Sequence, residues 1–461
     1  MDDKRQKIQM ELAFTTEPKG ETPKPAQGGT ESFTAASATE SPASNEQLME
    51  EVCMPDNLKQ AIRRVRRNKG SSGVDGMTVD ELPNYLKEHW PDIRTQLLCG
   101  SYRPKPVKRV EIPKPGGGVR KLGIPTVLDR FIQQAVMQIL QKRWERTFST
   151  HSFGFRPGRS AHQAVRRAQD YIAHGYCYVV DMDLEKFFDR VNHDMLMSRV
   201  AKRVADKRML KLLRACLNSG VMENGLVGPT YEGTPQGGPL SPLLSNLMLD
   251  DLDRELEKRN LRFVRYADDC NIYVRSERAG KRVMESVKNF LTQKLKLTVN
   301  EKKSAVARPK ERKFLGFSFM GGMEPKRRIA PQALTRFKKR IREITHQAKG
   351  KNVEQVVKNL AEYLVGWRGY FSYCETPTVL EKLDGWIKRR LRSMIWRQWK
   401  RGKRRFAELR KRGVDAKLAA QTASSSHGPW RTSWSPALHM ALSNAYFTAL
   451  GLPKLTVCSN A

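Results

Sequence analysis

Paired cysteines and long apolar runs are both absent from this sequence. Its 461 residues include seven cysteines, which lie far apart and form no C-x-x-C pair. A scattered set of odd number argues against a disulfide framework and against a zinc module. No apolar run approaches the roughly 18 residues of a membrane span, and the segment after Met1 is acidic and polar, unlike a signal peptide. We therefore expect a cytoplasmic protein with reduced thiols and no membrane partner.

Acidic residues are scarce relative to basic ones. There are 84 Lys and Arg against 48 Asp and Glu, a net charge of +36. Such an excess needs a polyanionic partner, and nucleic acid is the first candidate. The densest basic segment is 382–412, where fourteen basic residues accompany three tryptophans. Because tryptophans favour a folded segment over a charged tail, this pattern predicts a folded surface that faces RNA or DNA.

Residues 1–50 differ in composition from the rest of the chain. They hold nine acids and five bases, with a stretch rich in Gly, Thr, Ser, Pro and Ala from Pro18 to Ser44. Such a segment buries too little apolar surface to offset its ordering entropy, so it predicts a disordered tail.

Hydrophobic periodicity predicts an α+β protein with a change of character near residue 325. A hairpin is expected around the glycine tip Pro115–Gly118, a buried strand over Tyr176–Leu184, and a strand–turn–strand over Phe263–Val274. A helix capped by Ser241 lies between the last two. After Pro331 the spacing of apolar residues is helical throughout.

Two pairs of aspartates lie at the ends of predicted strands. Asp181 and Asp183 would share one face of their strand, and Asp268 and Asp269 lie at the predicted hairpin tip. Close carboxylates repel unless a cation neutralises them. Two-metal nucleotidyl transfer needs such a cluster of carboxylates. In it, two Mg²⁺ ions about 3.5–4 Å apart activate a 3′-hydroxyl and stabilise the leaving pyrophosphate. The alternative is that Asp-Asp is an ordinary polar turn.

Ordered motifs connect these acids to a known family. Tyr266-Ala-Asp-Asp269 resembles the active-site hairpin of reverse transcriptases. The chain is similar to group II intron-encoded reverse transcriptase/maturases in further blocks from about residue 55 onward, and these occur in the same order as in the family. They are Ile112-Pro-Lys-Pro, Gly123-Ile-Pro-Thr, Phe153-Gly-Phe-Arg-Pro-Gly-Arg-Ser, Asp183-Leu-Glu-Lys-Phe-Phe-Asp, Thr234-Pro-Gln-Gly-Gly-Pro, Leu297-Thr-Val-Asn-Glu-Lys-Lys, Phe314-Leu-Gly-Phe and Tyr363-Leu-Val-Gly-Trp-Arg-Gly-Tyr-Phe.

The resemblance implies a right-hand polymerase with fingers and an antiparallel palm sheet over 51–325. An all-α thumb/maturase domain over 326–461 would follow. It also implies two Mg²⁺ ions held by Asp183, Asp268 and Asp269, with Asp181 as a supporting acid. Phe188 would be the steric gate that excludes a ribose 2′-hydroxyl.

Further roles are implied for nucleotide and primer contacts. Lys114 and Arg120 would clamp the triphosphate, although a solvated hairpin is the alternative for both. Gln236 and Gly237 would lie against the incoming nucleotide and template. For Asn300, Lys303, Phe314 and Gly316, contact with the primer and template competes evenly with plain packing.

The helical domain would bind intron RNA and assist splicing. Arg389, Arg390, Arg404 and Arg405 are the predicted phosphate contacts. The expected partners are the intron RNA, an RNA template with a DNA primer, deoxynucleoside triphosphates and target DNA. Mobility would proceed by target-primed reverse transcription in a bacterial ribonucleoprotein.

Two alternatives remain open at this point. One is a reverse transcriptase of another lineage, such as a retron, diversity-generating or CRISPR-associated enzyme. The other is a splicing cofactor whose polymerase site is vestigial. The sequence contains no Cys/His-rich segment of the kind that forms an endonuclease. In this respect it resembles the short bacterial class C members of the family, and we expect no endonuclease.

Overall fold

The computed structural model describes residues 47–113, 117–223, 226–228, 232–233, 237–322, 324–346 and 352–456. Within those ranges, no helix combines the length and the apolar character that crossing a membrane requires.

The described residues form seventeen α-helices and ten strands. The helices are α1 (Leu48–Val52), α2 (Pro55–Arg67), α3 (Leu82–Cys99), α4 (Val127–Trp144), α5 (Ala161–Ala173), α6 (His193–Ala201), α7 (Lys207–Leu217), α8 (Ser241–Lys258), α9 (Glu277–Lys294), α10 (Pro331–His346), α11 (Val353–Phe371), α12 (Pro377–Gln398), α13 (Gly402–Lys411), α14 (Ala416–Ala423), α15 (Pro429–Thr432), α16 (Pro436–Ala441) and α17 (Asn444–Ala449). The strands are β1 (Val107–Pro113), β2 (Val119–Ile124), β3 (Tyr178–Met182), β4 (Val221–Glu223), β5 (Leu226–Gly228), β6 (Arg262–Tyr266), β7 (Asp269–Val274), β8 (Ala305–Ala307), β9 (Phe317–Phe319) and β10 (Arg327–Ile329).

The chain divides into two compact units. The first comprises the described residues of Met1–Ala164 together with Val180–Val306, and the second comprises Val165–Val179 with the described residues of Ala307–Ala461. The first unit mixes helices and strands, whereas the second is mainly helical, which confirms the predicted α+β class and its helical C-terminal part. The functional boundaries expected at residues 50 and 325 stay predictions.

Two sheets organise the first unit. One has the strand order β2–β1–β4–β5, and the other has the order β6–β7–β3–β8. Strands β6 and β7 form an antiparallel hairpin that pairs Tyr266 with Asp269 and Arg262 with Tyr273. Val264 and Ile272 are fully buried in this hairpin, because β-branched side chains pack well on a covered sheet face. The predicted strand–turn–strand is therefore confirmed.

The second unit is built around one apolar core. Phe337 of α10, Leu360 of α11, and Leu391 and Trp396 of α12 are all buried in it. Trp367 lies with its ring centroid 4.3 Å from that of Phe337, which confirms core packing for this aromatic residue. The amphipathic spacing after Pro331 thus serves mutual helix packing.

Two local predictions differ from the structure. Helix α1 takes in residues 48–50, the end of the predicted tail, because Leu48 and Met49 are fully buried; residues 1–46 lie outside the described residues. Ser241 is the first helical residue of α8 and does not cap it, because Leu240 before it already has helical dihedral angles. The helix therefore begins one position earlier than its apolar pattern indicates.

Candidate active site

The sheet of the first unit brings the predicted acids toward one another. Strand β3 ends at Met182, so Asp183 is the first residue beyond it. Strand β7 is the neighbour of β3, and the turn that precedes β7 consists of Ala267 and Asp268. Asp183 and Asp268 are half-buried and Asp269 is exposed. The carboxylates of two distant chain segments are therefore presented at the same part of the sheet.

Electrostatics shows that the two half-buried acids interact. Burial raises the pKa of the Asp268 carboxyl, and the negative charge of Asp183 raises it further. The guanidinium groups of Arg120 and Arg265 act in the opposite direction on the same pKa. Asp268 therefore lies within electrostatic reach of one acid and two bases, and a cation placed beside it would relieve the repulsion from Asp183.

The donor chemistry of this pair fits Mg²⁺. Among the residues that the structure describes, no three His, Cys, Asp or Glu side chains are grouped closely enough to hold a metal ion by themselves. Mg²⁺ in polymerase sites commonly takes one or two carboxylates and completes its shell with waters and substrate phosphates. Asp183 and Asp268 are of the residue type that this coordination uses, and the roles of Asp183, Asp268 and Asp269 as metal ligands stay predictions.

The segment after β7 and α9 folds back onto Asp183. The backbone amide of Asn300 donates to the Asp183 carbonyl at 2.8 Å, and the Asp183 amide donates to Ser304 Oγ at 3.0 Å. Lys303 Nζ lies 3.3 Å from Asp183 Oδ2. Two of the residues predicted to contact the primer therefore neighbour a predicted metal ligand, with Lys303 neutralising its charge.

Asp181 has a different environment from Asp183. With its amide nitrogen turned toward Asp181, the buried Asn271 side chain donates to Asp181 Oδ1 at 3.0 Å. A carboxylate engaged by a neighbouring strand residue is suited to support the sheet below the metal ligands. This contact favours the supporting role expected for Asp181.

The residues expected to surround the nucleotide are only partly described. Lys114 and Gln236 lie outside the described residues. Arg120 is exposed on β2, opposite Ile112 of β1, and its charge reaches Asp268. Gly237 has a φ of +136°, and a Cβ atom there would lie 2.8 Å from the Gly123 carbonyl oxygen. Glycine is thus required at Gly237 both by its dihedral angle and by the close approach of a backbone.

Phe188 lies in a short 3₁₀ helix over Phe187–Asp189 that follows Asp183. Its ring is half-buried, and its centroid lies 5.3 Å from that of the buried Phe187 ring. Packing of Phe187 into the core anchors this turn, while the partly exposed Phe188 ring is free to meet a ligand. The position is compatible with the predicted gate, which stays a prediction.

Gly154 contributes to the site although the sequence offered no chemical reason to select it. A Cβ atom at Gly154 would lie 2.2 Å from the backbone nitrogen of Ala267, inside the β6–β7 turn. Only glycine therefore allows the Phe153–Phe155 segment to lie against the turn that carries Asp268. The Phe-Gly-Phe motif was the available signal, but it identified a family rather than a contact.

Phe314 and Gly316 lie in the second unit. Phe314 is buried and its backbone pairs with Phe317. Gly316 has a φ of +83°, and a Cβ atom there would lie 3.1 Å from the Phe371 ring. These contacts explain both residues by packing, and contact with primer or template stays a prediction.

The four arginines predicted to bind RNA have dissimilar surroundings. Arg389 Cζ lies 4.2 Å from the ring centroid of Trp430, and Arg405 Cζ lies 4.7 Å from that of Trp396. Arg390 donates to Thr345 Oγ1 at 2.8 Å, whereas Arg404 is exposed. Arg390 Cζ also lies 5.5 Å from the centroid of the Trp386 ring, so three of the four arginines lie over tryptophan rings, and phosphate contact by any of the four stays a prediction.

Comparisons with known proteins agree with this arrangement. Residues 112–319 match the family described as reverse transcriptase (RNA-dependent DNA polymerase). Residues 334–413 match the maturase-specific domain of group II introns. The first match contains every acid of the candidate site, and the second contains the basic segment of α12 and α13.

Relatives from three organisms match over more than half of the chain. Protein YkfC of Escherichia coli is 33% identical over 318 residues, which cover 60% of this chain and 82% of that protein. The group II intron-encoded protein LtrA of Lactococcus lactis is 31% identical over 57% of this chain and 55% of its own length. A putative COX1/OXI3 intron 2 protein of Saccharomyces cerevisiae is 30% identical over 59% of this chain and 38% of its own.

The match to the maturase-specific domain distinguishes this chain from reverse transcriptases of other lineages. The motifs predicted a reverse transcriptase domain followed by a maturase domain, and the two family matches occur in that order. The chain therefore belongs to the group II intron-encoded reverse transcriptase/maturases.

Proposed function

We propose that the first unit extends a DNA primer along an RNA template by two-metal nucleotidyl transfer. The observation that carries this proposal is the interaction of Asp183 with Asp268 at the end of neighbouring strands, within reach of the Arg120 charge. Two acids that repel each other and a cation beside them form the environment that binds Mg²⁺ and a triphosphate.

Each residue has a distinct task in this proposal. When bound, Mg²⁺ supplies charge that lowers the pKa of the primer 3′-hydroxyl and neutralises the leaving pyrophosphate. Asp183 and Asp268 hold the metal, and Asp269 completes the predicted ligand set. Arg120 offers a guanidinium to triphosphate oxygens, which it can contact in bidentate fashion. Phe188 occupies the space of a ribose 2′-hydroxyl and so selects deoxyribonucleotides.

The second unit, in this proposal, binds the intron RNA and assists its splicing and mobility. The observation that carries this part is a group of positive charges that we call the Trp386 cluster. Lys338, Arg342 and Arg390 lie around the Trp386 ring, and Arg397 is included because its charge reaches Arg390. Lys338 Nζ, Arg342 Cζ and Arg390 Cζ lie 6.0, 5.7 and 5.5 Å from the centroid of the Trp386 ring.

The positive charges of the Trp386 cluster repel one another. Burial lowers the pKa of Arg390, and the charges of Arg342 and Arg397 lower it further. None of the four cations forms an ion pair within the described part of the chain. A phosphate that binds beside cations that repel one another and form no ion pair lowers their electrostatic free energy. The mutual repulsion of these cations therefore supports phosphate contact by the Trp386 cluster.

Primer extension on a homopolymer RNA template tests the polymerase proposal. Asp183→Asn should abolish Mg²⁺-dependent DNA synthesis, because an amide does not balance the metal charge, whereas Asp181→Asn should retain most of it. Affinity for the primer–template should be unchanged in both variants. Activity of Asp183→Asn with loss in Asp181→Asn would show that the metal-ligand assignment is displaced by two residues. An inactive wild-type protein that still promotes splicing would favour the vestigial alternative.

A further inference from the structure

A fully buried ion pair lies directly beneath the turn that carries Asp268. Arg265, on β6, donates from Nε to Asp253 Oδ1 at 2.7 Å and from Nη2 to Asp253 Oδ2 at 2.6 Å. Both side chains are 0% exposed, and Asp253 lies on α8, within the first unit. Burying two charges is costly even when they are paired, so stability alone is a weak reason for this arrangement.

The remaining nitrogen of Arg265 reaches the turn itself. Nη1 donates to the carbonyl oxygen of Ala267 at 2.9 Å and to Asn246 Oδ1 at 3.0 Å. Ala267 has a φ of +57°, a left-handed conformation that is unfavourable for a residue with a Cβ atom. The guanidinium therefore bonds the carbonyl of the strained residue that immediately precedes Asp268.

The same turn is held from its other side by a segment bonded to the same network. Asn246 Nδ2 donates to the Gly154 carbonyl at 2.8 Å, and Gly154 lies against the Ala267 backbone. The amide of Phe153 donates to the Arg265 carbonyl at 2.9 Å. A closed ring of contacts therefore includes Ala267, the residue before Asp268. Its other members are Arg265, Asn246 and Gly154.

We propose that Arg265 is a positioning residue for catalysis, which holds the Ala267–Asp268 turn in the one conformation that presents Asp268 to a metal shared with Asp183. Asp253 fixes the guanidinium in the plane that this bond requires, and Asn246 links it to the Gly154 segment. The proposal rests on the proposed polymerase function. Lysine cannot replace Arg265, because an ammonium lacks the planar fork that serves Asp253, Asn246 and Ala267 together.

The test uses the full chain carrying Arg265→Lys. This change keeps the positive charge beside Asp253 but removes the fork. We expect kcat for primer extension to fall about tenfold to a hundredfold, as loss of a charge-assisted hydrogen bond predicts. The Mn²⁺ concentration that half-fills the site should rise several-fold, measured by electron paramagnetic resonance on the complex with a chain-terminated primer and an incoming nucleotide. The dissociation constant for the primer–template should not change.

Asn246→Ala is the second variant, because it leaves the buried ion pair intact and remains informative if Arg265→Lys does not fold. It should shift kcat and Mn²⁺ affinity in the same direction by a smaller factor. Arg208→Lys is the control. Arg208 also pairs with a buried acid, Asp206, in the first unit, and it donates further hydrogen bonds to Glu50 and to the Leu98 carbonyl.

The outcomes separate positioning from a purely structural role. Lower melting temperatures with unchanged kcat per folded molecule and unchanged Mn²⁺ affinity in Arg265→Lys and Asn246→Ala would overturn the proposal. Equal Mn²⁺ effects in Arg208→Lys would also overturn it. An inactive wild-type chain would instead refute the polymerase function on which the proposal rests.

Discussion

Removing three cations of the Trp386 cluster should change how RNA binding depends on salt. The variant replaces Lys338, Arg342 and Arg397 with glutamine and retains Arg390 and Trp386. Each phosphate contact contributes about 0.7 to 0.9 to the slope of log affinity against log salt concentration. If all three cations contact phosphates, the slope should become shallower by about 2 to 3.

The assay is fluorescence anisotropy with a folded group II intron RNA at salt concentrations from about 50 to 400 mM KCl. A matched control replaces Lys358, Lys417 and Lys454, which are exposed in the second unit and lie outside residues 382–412, with glutamine. The control has the same net charge as the cluster variant. It should retain a slope close to that of the wild-type protein.

Two results would refute this reasoning. An unchanged slope in the cluster variant would mean that these cations do not contact phosphates. Equal flattening in both variants would mean that RNA senses only the total charge of the protein, because a specific site predicts a difference between them.

Three further predictions concern the first unit. Phe188→Ala should admit ribonucleotides, measured as the ratio of kcat/KM for deoxyribonucleotides and ribonucleotides, and an unchanged ratio would remove Phe188 from the site. Gly237→Ala should impair primer extension about tenfold or more, because its Cβ would meet the Gly123 carbonyl at 2.8 Å; wild-type kinetics would show that this backbone moves freely. Asp206→Ala should cost about 1–2 kcal/mol of unfolding free energy at neutral pH, because it removes the side chain that caps α7. Burial alone would raise the pKa of Asp206, but hydrogen bonds from Arg208 and from backbone amides outweigh burial, and the pKa is lowered. The stabilisation by Asp206 should therefore be present at neutral pH. Denaturation curves of the wild-type protein should show its loss as the pH falls below about 4.

Local patterns sufficed to predict the hairpin and its acids. Apolar residues flank Asp268 and Asp269 on both sides, which indicates a strand–turn–strand, although the two acids alone also fit an ordinary polar turn. Asp183 was assigned through the family motif, and β3 indeed ends just before it. The hairpin and the strand end are confirmed because their patterns are encoded within a few neighbouring residues, whereas the roles of the acids stay predictions.

The contacts that support the hairpin could not be predicted in this way. Arg265 and Asp253 are charged residues, which are almost never fully buried unless paired, and nothing in the sequence shows that they pair. Gly154 meets Ala267 across more than a hundred residues of chain. Likewise, Arg389 was predicted to bind RNA from its charge alone, whereas its stacking on Trp430 depends on the packing of α12 against α15.

The central claim is that one chain carries two separable activities. The first unit synthesises DNA, and the second unit binds intron RNA and assists its splicing. The direct measurement is both activities in Asp268→Asn and in the cluster variant of Lys338, Arg342 and Arg397. We predict that Asp268→Asn loses DNA synthesis on a homopolymer template and still promotes splicing. The cluster variant should lose intron binding and splicing while its synthesis on a short template is far less affected. Equal loss of both activities in both variants would contradict the account.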